Sequence, residues 1–275
     1  MSHTTNTFVS GSRDVPSYEK NISICLGANG FSFSIISVDN ELLAYGTRTF
    51  KSGLTMGEAV QTLRSAFAEC GLALFGFNSV EVVVLSEQFL LIPDHLYEAG
   101  KERKYMEPMA TVPVGMGVYS SHVDTLGAQA IFTADTNWVS AFRIVLPGVK
   151  LCCQYSKLIN GELTAKSDMK SLLVMHLRGE RTDFVVYCNK KVQFINTFDC
   201  ANTQELLYNA INIMKQLHLE DAALEAYVCG DIDRPHFDAM RRYFPKLDLY
   251  SGRALRKSTL EFQQLHTYRD VLIFS

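Results

Sequence analysis

The same order of hydrophobic patterns occurs twice in this 275-residue chain, once near its start and once after its middle. In residues 22–50 an apolar strand, a turn that contains glycine and two alternating strands follow one another, and residues 171–198 repeat that order. Each block is followed by a helical pattern and a second apolar strand. The repeat predicts two similar domains, because each copy must bury its own apolar face. It constrains the fold strongly and the chemistry weakly, since function depends on sites that a fold carries.

The first block shows the period of two that is typical of strands with one face in a core. After the third strand the apolar residues change to helical spacing, and Gly71 ends that pattern. A continuous apolar run then indicates a strand that is buried on both faces. We therefore predict three antiparallel strands, a helix and a buried fourth strand, at residues 22–26, 31–35, 42–47, 56–70 and 80–85.

The second block repeats these elements with different residues. Its four strands are predicted at residues 172–175, 184–187, 192–198 and 225–230. Asn202 or Thr203 caps the helix that precedes the last of them. Aligning Phe33 with Phe184 places Cys25 opposite His176 and Leu26 opposite Leu177 without a gap. The repeat is therefore one of structure and not a copy of the sequence.

The remaining patterns complete the two domains. For the first domain we predict three further strands, at residues 114–119, 129–133 and 149–158, and a helix at residues 137–146. For the second domain we predict a helix at residues 237–244 and a strand at residues 247–250. The polar segment at residues 160–168 is the predicted boundary. The chain is thus divided into a flexible N-terminal segment at residues 1–20, a first domain at residues 21–165 and a second domain at residues 166–275.

The composition is that of an ordinary globular protein, with 47% hydrophobic and 20% charged residues. A net charge of -3 and a pI near 6.2 do not supply the basic surface that nucleic-acid binding normally requires. No apolar run approaches the roughly 20 residues that span a bilayer, and residues 1–19 lack the apolar core of a secretion signal. We therefore expect a cytoplasmic protein with no membrane span and no nucleic-acid partner.

The 7 cysteines do not form a metal-binding or disulfide pattern, because no two of them are spaced as Cys-x-x-Cys. Most of them lie within apolar patterns, where a thiol behaves as a small hydrophobic group, namely Cys25, Cys70, Cys188, Cys200 and Cys229. We therefore expect neither disulfides nor a zinc site.

The order of three antiparallel strands, a crossover helix and a parallel fourth strand resembles the ribonuclease H-like fold. Two such domains in tandem resemble the actin, hexokinase and Hsp70 superfamily. The nearest characterised shape that this chain resembles is that of pilus-assembly ATPases of the PilM and FtsA type. The chain resembles still more closely an uncharacterised bacterial family of unknown function with an actin-like ATPase fold. The resemblance runs from about residue 21 onward and rests on the order of the elements. It implies an α/β fold of two tandem ribonuclease H-like domains, with a βββαβ unit repeated.

The resemblance also implies an ATP site between the domains, with definite residues at its turns. Superfamily members carry Asp-x-Gly at the first hairpin of each domain, because the carboxylate holds a metal or its water and the glycine lets backbone N–H groups approach the phosphates. Here residues 25–27 read Cys-Leu-Gly and residues 176–178 read His-Leu-Arg. Neither turn has the carboxylate, and Ser32 stands where a lysine is often found. The turns therefore argue against hydrolysis.

A third feature of the superfamily is a glycine pair after the fourth strand of the second domain, which gives room for the nucleoside. In this chain Gly230 is present and Asp231 replaces the second glycine. A glycine at the end of a strand is more often a simple turn residue, and the same applies to Gly27 and Gly30 in their hairpin.

We expect, on this resemblance, a non-catalytic binding or scaffold protein that has a degenerate nucleotide cleft and uses no cofactor and no metal. The predicted cofactor-binding residues of the cleft are Gly27, Gly30, His176, Arg178, Gly230 and Asp231. The alternative is an ATP-binding protein or slow ATPase that uses ATP and magnesium with acids outside the usual turns. A protein partner is expected, whereas its identity and the oligomeric state are left open.

Other residues suggest further sites, each with a plainer interpretation. His176, Arg178 and Arg181 could bind phosphate or carboxylate, but Glu180 and Asp183 can neutralise the arginines.

Residues 120–124 read Ser-Ser-His-Val-Asp, although catalytic triads are rarely adjacent in sequence. Histidines also follow acids at Asp94-His95 and near Asp233 and His236, where exposed loops are the ordinary explanation. Large soft residues at Tyr97, Tyr105, Met106, Met109, Met116 and Tyr119 suit either partner contacts or packing within the first domain.

Overall fold

The computed structural model describes residues 7–10, 16, 19–69, 71, 76–160, 171–219, 224–257 and 259–274. The chain forms two compact units. Unit 1 comprises Met1–Lys157 and Ala254–Leu265, and unit 2 comprises Leu158–Arg253 and His266–Ser275. Residues 254–265, which we assign from the sequence to the second domain, therefore belong to unit 1. Most of the predicted boundary at residues 160–168 lies outside the described residues, so its position stays a prediction.

Unit 1 contains a six-stranded sheet with the order β1-β4-β3-β2-β5-β9. Its strands are β1 (Thr7–Ser10), β2 (Lys20–Leu26), β3 (Gly30–Ser37), β4 (Leu42–Thr49), β5 (Ser79–Val84) and β9 (Lys150–Cys153). Strands β2, β3 and β4 are antiparallel neighbours, while β5 is parallel to β2 and β9 is parallel to β5. Helix α1 (Met56–Glu69) supplies the crossover from β4 to β5 and buries Leu63 and Phe67 against the core.

A second, three-stranded antiparallel sheet follows β5 in the chain and has the order β6-β8-β7. Its elements, with the helices beside it, are β6 (Phe89–Pro93), α2 (Glu102–Met106), β7 (Met116–Val123), β8 (Ala128–Asp135) and α3 (Thr136–Val145). Short 3₁₀ turns occur at Asp94–Leu96 and Asp124–Leu126. The Asp135 carboxylate caps α3 by accepting hydrogen bonds from two backbone N–H groups.

Two expectations for unit 1 differ from the structure. The predicted strand at residues 149–158 is wrong in its second half, because β9 ends at Cys153 and α4 (Gln154–Asn160) follows. Cys153 pairs with Val84, the last residue of β5, so a longer β9 would have no neighbour there. Near the start of the chain, β1 pairs antiparallel with β4, whereas we predict a flexible segment over residues 1–20.

Unit 2 contains a five-stranded sheet with the order β12-β11-β10-β13-β14. Its elements are β10 (Ser171–Arg178), β11 (Arg181–Cys188), β12 (Lys191–Asp199), α5 (Thr203–Gln216), β13 (Glu225–Gly230), α6 (Arg234–Arg241) and β14 (Leu247–Leu249). Helix α7 (Leu260–Gln264) belongs to unit 1, and a 3₁₀ segment at Thr267–Ile273 belongs to unit 2. The core of unit 2 packs Leu206 and Ile213 of α5 with Phe184 and Val228 of the sheet.

The two units confirm the predicted repeat. In unit 1 Phe33 pairs with Ile24, and in unit 2 Phe184 pairs with Met175. Cys25 and His176 therefore occupy equivalent positions, as the alignment of the two blocks predicts. Each unit has three antiparallel strands, a crossover helix and a parallel fourth strand, which is the βββαβ order of a ribonuclease H-like domain. None of the helices in the described ranges is long and apolar enough to span a lipid bilayer.

Candidate functional site

The first hairpin turn of unit 1 connects β2 to β3 and contains Gly27 and Gly30. The N–H of Gly27 donates to the carbonyl of Gly30 over 2.9 Å, which closes the turn. A Cβ at Gly30 would lie 2.8 Å from the Arg48 carbonyl oxygen of β4, whereas a Cβ at Gly27 would meet nothing nearer than 3.6 Å. Glycine at position 30 is thus explained by the close approach of β4, and position 27 has room for a methyl group.

This difference gives a prediction for the two glycines. We expect Gly30→Ala to lower the free energy of unfolding by about 1–3 kcal/mol, because β3 and β4 must move apart. Gly27→Ala should change it by less than about 1 kcal/mol, since its new contacts are at ordinary van der Waals distances. Urea unfolding of both variants measures the difference, and equal losses would contradict this steric explanation.

A cavity of about 350 Å³ lies beside the first turn, and we call it the Gly27 cavity. It is lined by the turn, by the residues that follow β4 and β5, by the segment before β7 and by the start of α3. The volume is at the lower end of the range for small-molecule pockets. Every one of its lining residues belongs to unit 1. The cavity is the candidate binding site of this unit.

One wall of the Gly27 cavity is held in place by a buried amide. The side chain of Gln154, which is fully buried, accepts a hydrogen bond from the Ser86 N–H and donates one to the Ser86 carbonyl, both at 3.0 Å. The Ser86 hydroxyl also accepts from the Thr133 N–H at 3.1 Å. These contacts fix the chain just after β5 and occupy the Ser86 amide, so that amide is not available to a ligand.

The opposite wall is aromatic and acidic. Trp138 of α3 packs on Phe50 with ring centroids 4.3 Å apart, and its side chain is 4% exposed. Asp135 lies one turn earlier and uses Oδ1 to cap the helix through the N–H groups of Asn137 and Trp138. Its other oxygen, Oδ2, accepts no hydrogen bond within the part of the chain that the structure describes. The cap therefore places a carboxylate oxygen at the cavity.

The second candidate site lies where β10 and β13 of unit 2 end. Gly230 has φ +88°, and a Cβ there would lie 1.9 Å from the Leu177 carbonyl oxygen. The N–H of Asp231 donates to that same oxygen at 2.9 Å, and the Asp231 carboxylate accepts from the Gly179 N–H at 3.0 Å. The glycine and the acid thus tie the end of β13 to the hairpin between β10 and β11. Gly230 has a structural explanation that needs no nucleoside.

Four side chains at this end of unit 2 form one polar group around a buried carboxylate, the Asp183 cluster. Asp183 is fully buried on β11 and accepts from the His176 ring at 3.0 Å and from Thr197 at 2.7 Å. Arg178 donates to both carboxylate oxygens, from Nε at 3.0 Å and from Nη2 at 3.1 Å. The guanidinium fork of Arg178 is therefore turned toward Asp183, as the plainer interpretation of this arginine requires. Arg181 pairs instead with the exposed Asp199 at 3.1 Å.

The Asp183 cluster shifts the pKa of its carboxyl group. Burial alone would raise the pKa of Asp183, but the hydrogen bond from His176 and the attraction of His176 and Arg178 outweigh burial and lower the pKa to about 2. Asp183 is thus a carboxylate at neutral pH, and its lone pairs are occupied by the cluster. A bound metal ion would have to displace these donors.

Cys229 is the cross-strand neighbour of His176 on β13, so a thiol, an imidazole and a carboxylate lie in one row across three strands. Burial raises the pKa of the Cys229 thiol, and the Asp183 charge raises it further. The thiolate is the nucleophile in cysteine catalysis, so this buried thiol is not an activated one. Among the described residues, no three His, Cys, Asp or Glu side chains are grouped so that they could hold a metal ion.

The adjacent Ser, His and Asp of residues 120–124 do not form a triad. The Ser120 hydroxyl contacts Tyr97 at 2.9 Å and lies 3.4 Å from a Glu102 carboxylate oxygen. His122 contacts Asp124 at 2.8 Å and Asp94 at 2.9 Å. These hydrogen bonds to two carboxylates raise the pKa of the exposed His122 imidazole. The histidine is thus held as a bridge between two acids and not beside the serine.

Five of the six soft residues of the same region divide into two groups. Met106 is 1% exposed, and the Tyr97 and Tyr105 rings stack with centroids 6.2 Å apart, so these three pack within unit 1. Met109 is 75% exposed and Met116 lines the Gly27 cavity. A partner at this surface stays a prediction.

Comparison with known proteins gives a family for this chain. Residues 15–247 match the family described as protein of unknown function DUF3822. The chain belongs to this family. No curated protein matches it.

The DUF3822 chain is similar in structure to several solved proteins. One is a protein from Bacteroides thetaiotaomicron with an actin-like ATPase fold and unknown function, at a TM-score of 0.71 and 18% identity over 85% of this chain and 91% of that one. A PilM-PilN type IV pilus biogenesis complex matches at 0.59 and 13% identity, over 94% and 97%. The ethanolamine utilization protein EutJ from Carboxydothermus hydrogenoformans matches at 0.51 and 11% identity, over 97% and 93%. At these identities the similarity shows the fold alone, which is the expected actin-like ATPase fold.

The structure places the sequence-predicted residues of this DUF3822 protein in two groups. Gly27 and Gly30 share the turn of unit 1, and the other four, His176, Arg178, Gly230 and Asp231, meet at one end of the unit 2 sheet. Sequence reasoning paired Asp183 with the arginines but missed its contact with His176. The two-residue turn at residues 179–180 could have revealed it, because that register places residue 183 opposite residue 176. No pattern in the sequence indicated that Gln154 supports a wall of the Gly27 cavity or that Trp138 lines it.

Proposed function

We propose that this DUF3822 protein is a non-catalytic binding or scaffold protein whose nucleotide site is degenerate. The observation that carries the proposal is the state of the two hairpin turns. Cys25 stands where the superfamily places the first carboxylate, and His176 stands where it places the second. The nearby carboxylate of Asp183 is already occupied by three neighbouring side chains. Magnesium and a triphosphate would find no free carboxylate at either of these positions.

A protein partner is part of the proposal. PilM, a structural neighbour, is seen in a complex with PilN, so this architecture serves in at least one protein assembly. The exposed Met109 and Val114 lie in the segment before β7 and suit adaptable contacts. We place the protein in the cytoplasm, where the thiols of its cysteines would stay reduced.

The second candidate function is nucleotide binding with slow hydrolysis. It is favoured by the Gly27 cavity, which lies at the turn that corresponds to the first phosphate turn of the superfamily. Asp135 and Glu87 would be its acids, because both line the cavity and neither belongs to the usual turns.

ATP hydrolysis by the full-length protein separates the two functions. We expect no turnover of ATP with magnesium above the level of a buffer control, and no saturable binding of the nucleotide by calorimetry. The physical reason is that catalysis of phosphoryl transfer depends on positioned charges that neutralise the phosphates.

The control for this experiment is Asp135→Asn, which keeps the cap of α3 and removes a cavity charge. Turnover by the natural sequence that is lost in this variant would favour the slow ATPase. Residual turnover that is the same in both proteins would indicate a contaminating enzyme.

A further inference from the structure

The Gly27 cavity carries charge of one sign. Its described lining contains two acids, Glu87 and Asp135, and no lysine, arginine or histidine. Lys51 is the nearest basic residue along the chain, but it is exposed and is not part of the lining. A carboxylate in a partly apolar cavity attracts a positive group and repels a negative one more strongly than it would in water.

Part of the backbone around the cavity is already used for hydrogen bonds inside unit 1. Phosphate sites in this position use free N–H groups of the turn. Here the Gly27 N–H donates to Gly30, the Leu85 N–H donates to Leu26, and the Ser86 N–H donates to Gln154. Three amides along the wall are therefore occupied inside unit 1. A polyphosphate would meet two acids at the cavity and could not use these three donors.

The aromatic wall suits an organic cation. Trp138 and Phe50 form a contact pair beside Asp135, whose Oδ2 has no hydrogen-bond partner among the described residues. Aromatic rings attract ammonium groups, and Phe50, which is partly exposed, is the ring of this pair that a ligand can reach, while the buried Trp138 supports it. The remaining lining includes apolar residues such as Leu26, Val84 and Met116, which would contact a hydrophobic body.

We propose that the Gly27 cavity binds a small organic cation that has an apolar or aromatic body. The inference rests on the proposed function, because it takes the degenerate nucleotide site as the place of binding. The cation can be a free amine or the lysine side chain of a peptide, since both present an ammonium group on a hydrophobic stem. The carboxylates select the charge, and the size of the cavity limits the ligand to a small group.

The chain contains a built-in reporter of this site, because Trp138 is its one tryptophan. Tryptophan emission of the full chain is titrated with benzyltrimethylammonium, with neutral benzyl alcohol and with anionic benzoate. We expect a saturable change with the cation, binding of benzyl alcohol that is weaker by about tenfold, and no saturable change with benzoate. A parallel titration with acetyl-Phe-Lys-amide tests the peptide source, and the tighter of the two cations identifies which source the cavity prefers.

Variants connect the signal to the two carboxylates. Asp135→Asn and Glu87→Gln should each weaken binding of the cation by about fivefold to tenfold, because each removes one charge from the wall. Asn still caps α3, so the first variant keeps the helix start, and Glu87 is exposed, so the second has little effect on folding. The matched control Asp248→Asn removes an exposed charge from unit 2 and should leave the affinity unchanged.

Two results with the organic probes would overturn the inference. One is equal binding of the cationic and neutral probes, and the other is no saturable change with any cationic probe. Neither would affect the proposed function, which fails if the protein binds ATP saturably or hydrolyses it in the presence of magnesium. A saturable response to magnesium chloride alone that Asp135→Asn abolishes would also overturn it, by assigning the carboxylates to a metal ion.

Discussion

Gly230→Ala is expected to destabilise unit 2 by about 4 kcal/mol or more, or to prevent its folding. The new Cβ would lie 1.9 Å from the Leu177 carbonyl oxygen and 2.9 Å from its carbon, which are backbone atoms of the neighbouring strand. Relief of this clash requires β13 to move away from β10. That movement breaks the hydrogen bond from the Asp231 N–H to the Leu177 carbonyl. It also breaks the hydrogen bond that the Asp231 carboxylate accepts from the Gly179 N–H.

The hairpin provides a matched control for this prediction. Gly179 also has a positive φ, +62°, but a Cβ there would meet nothing within 4 Å. Gly179→Ala therefore measures only the cost of holding a residue other than glycine at a positive φ, which is about 1 kcal/mol. Urea unfolding of both variants, with soluble expression as a second readout for Gly230→Ala, gives the comparison. Similar small losses in the two proteins would contradict the close packing of β13 on the hairpin.

Asp183→Asn is expected to lower the free energy of unfolding by about 3 kcal/mol. The substitution keeps the shape of the side chain but removes the charge that pairs with His176 and Arg178, and it replaces one acceptor by a donor. Breaking a buried ion pair from one side is costly because the partner stays buried without its counter-charge. Thr197 would also lose a charged acceptor.

The pH dependence of stability provides a second measurement of the Asp183 cluster. The folded pKa of Asp183, about 2, lies below the ordinary value of 3.8. A lowered pKa means that the stabilisation is fully present above about pH 4 and is lost as the pH falls toward 2. The difference corresponds to about 2 kcal/mol. Urea unfolding between about pH 2 and pH 6 should show this loss in the natural sequence and a smaller one in Asp183→Asn.

Asp199→Asn is the matched control, because Asp199 also pairs with an arginine of the same hairpin but is 85% exposed. An exposed pair of this kind contributes about 0–1 kcal/mol. If Asp183→Asn and Asp199→Asn have the same small effect at neutral pH, the Asp183 cluster does not stabilise unit 2 as described.

The repeated order of elements predicted two βββαβ units, and its resemblance to the ribonuclease H-like fold supplied the fold class. Period-two alternation and the change to helical spacing are local properties of the chain, so they identify strands and helices without tertiary contacts. The registers of the two hairpins follow from turn length, and they place Cys25 and His176 at equivalent positions. The absence of both turn carboxylates could also be read directly from the sequence.

The sequence did not determine how the individual side chains are used. Gly30 and Gly230 look alike in the sequence, but the structure requires glycine for different reasons. A Cβ at Gly30 would lie 2.8 Å from a neighbouring carbonyl oxygen. A Cβ at Gly230 would lie 1.9 Å from one, and Gly230 itself has a positive φ. Both distances depend on how a second strand lies beside the turn. For the same reason the end of β9 was misassigned, because the length of a strand depends on its partner.

By itself, the sequence determined the two βββαβ units and the lack of a carboxylate at residues 25 and 176, because both depend on the order and identity of residues. Only the tertiary structure decided which side chains and which cavity lie beside these two turns. It buries Asp183 among His176, Arg178 and Thr197, and it encloses a cavity between Gly27, Asp135 and Trp138. Residues from distant strands and helices must meet to form either feature, and the local pattern of a chain does not fix such meetings.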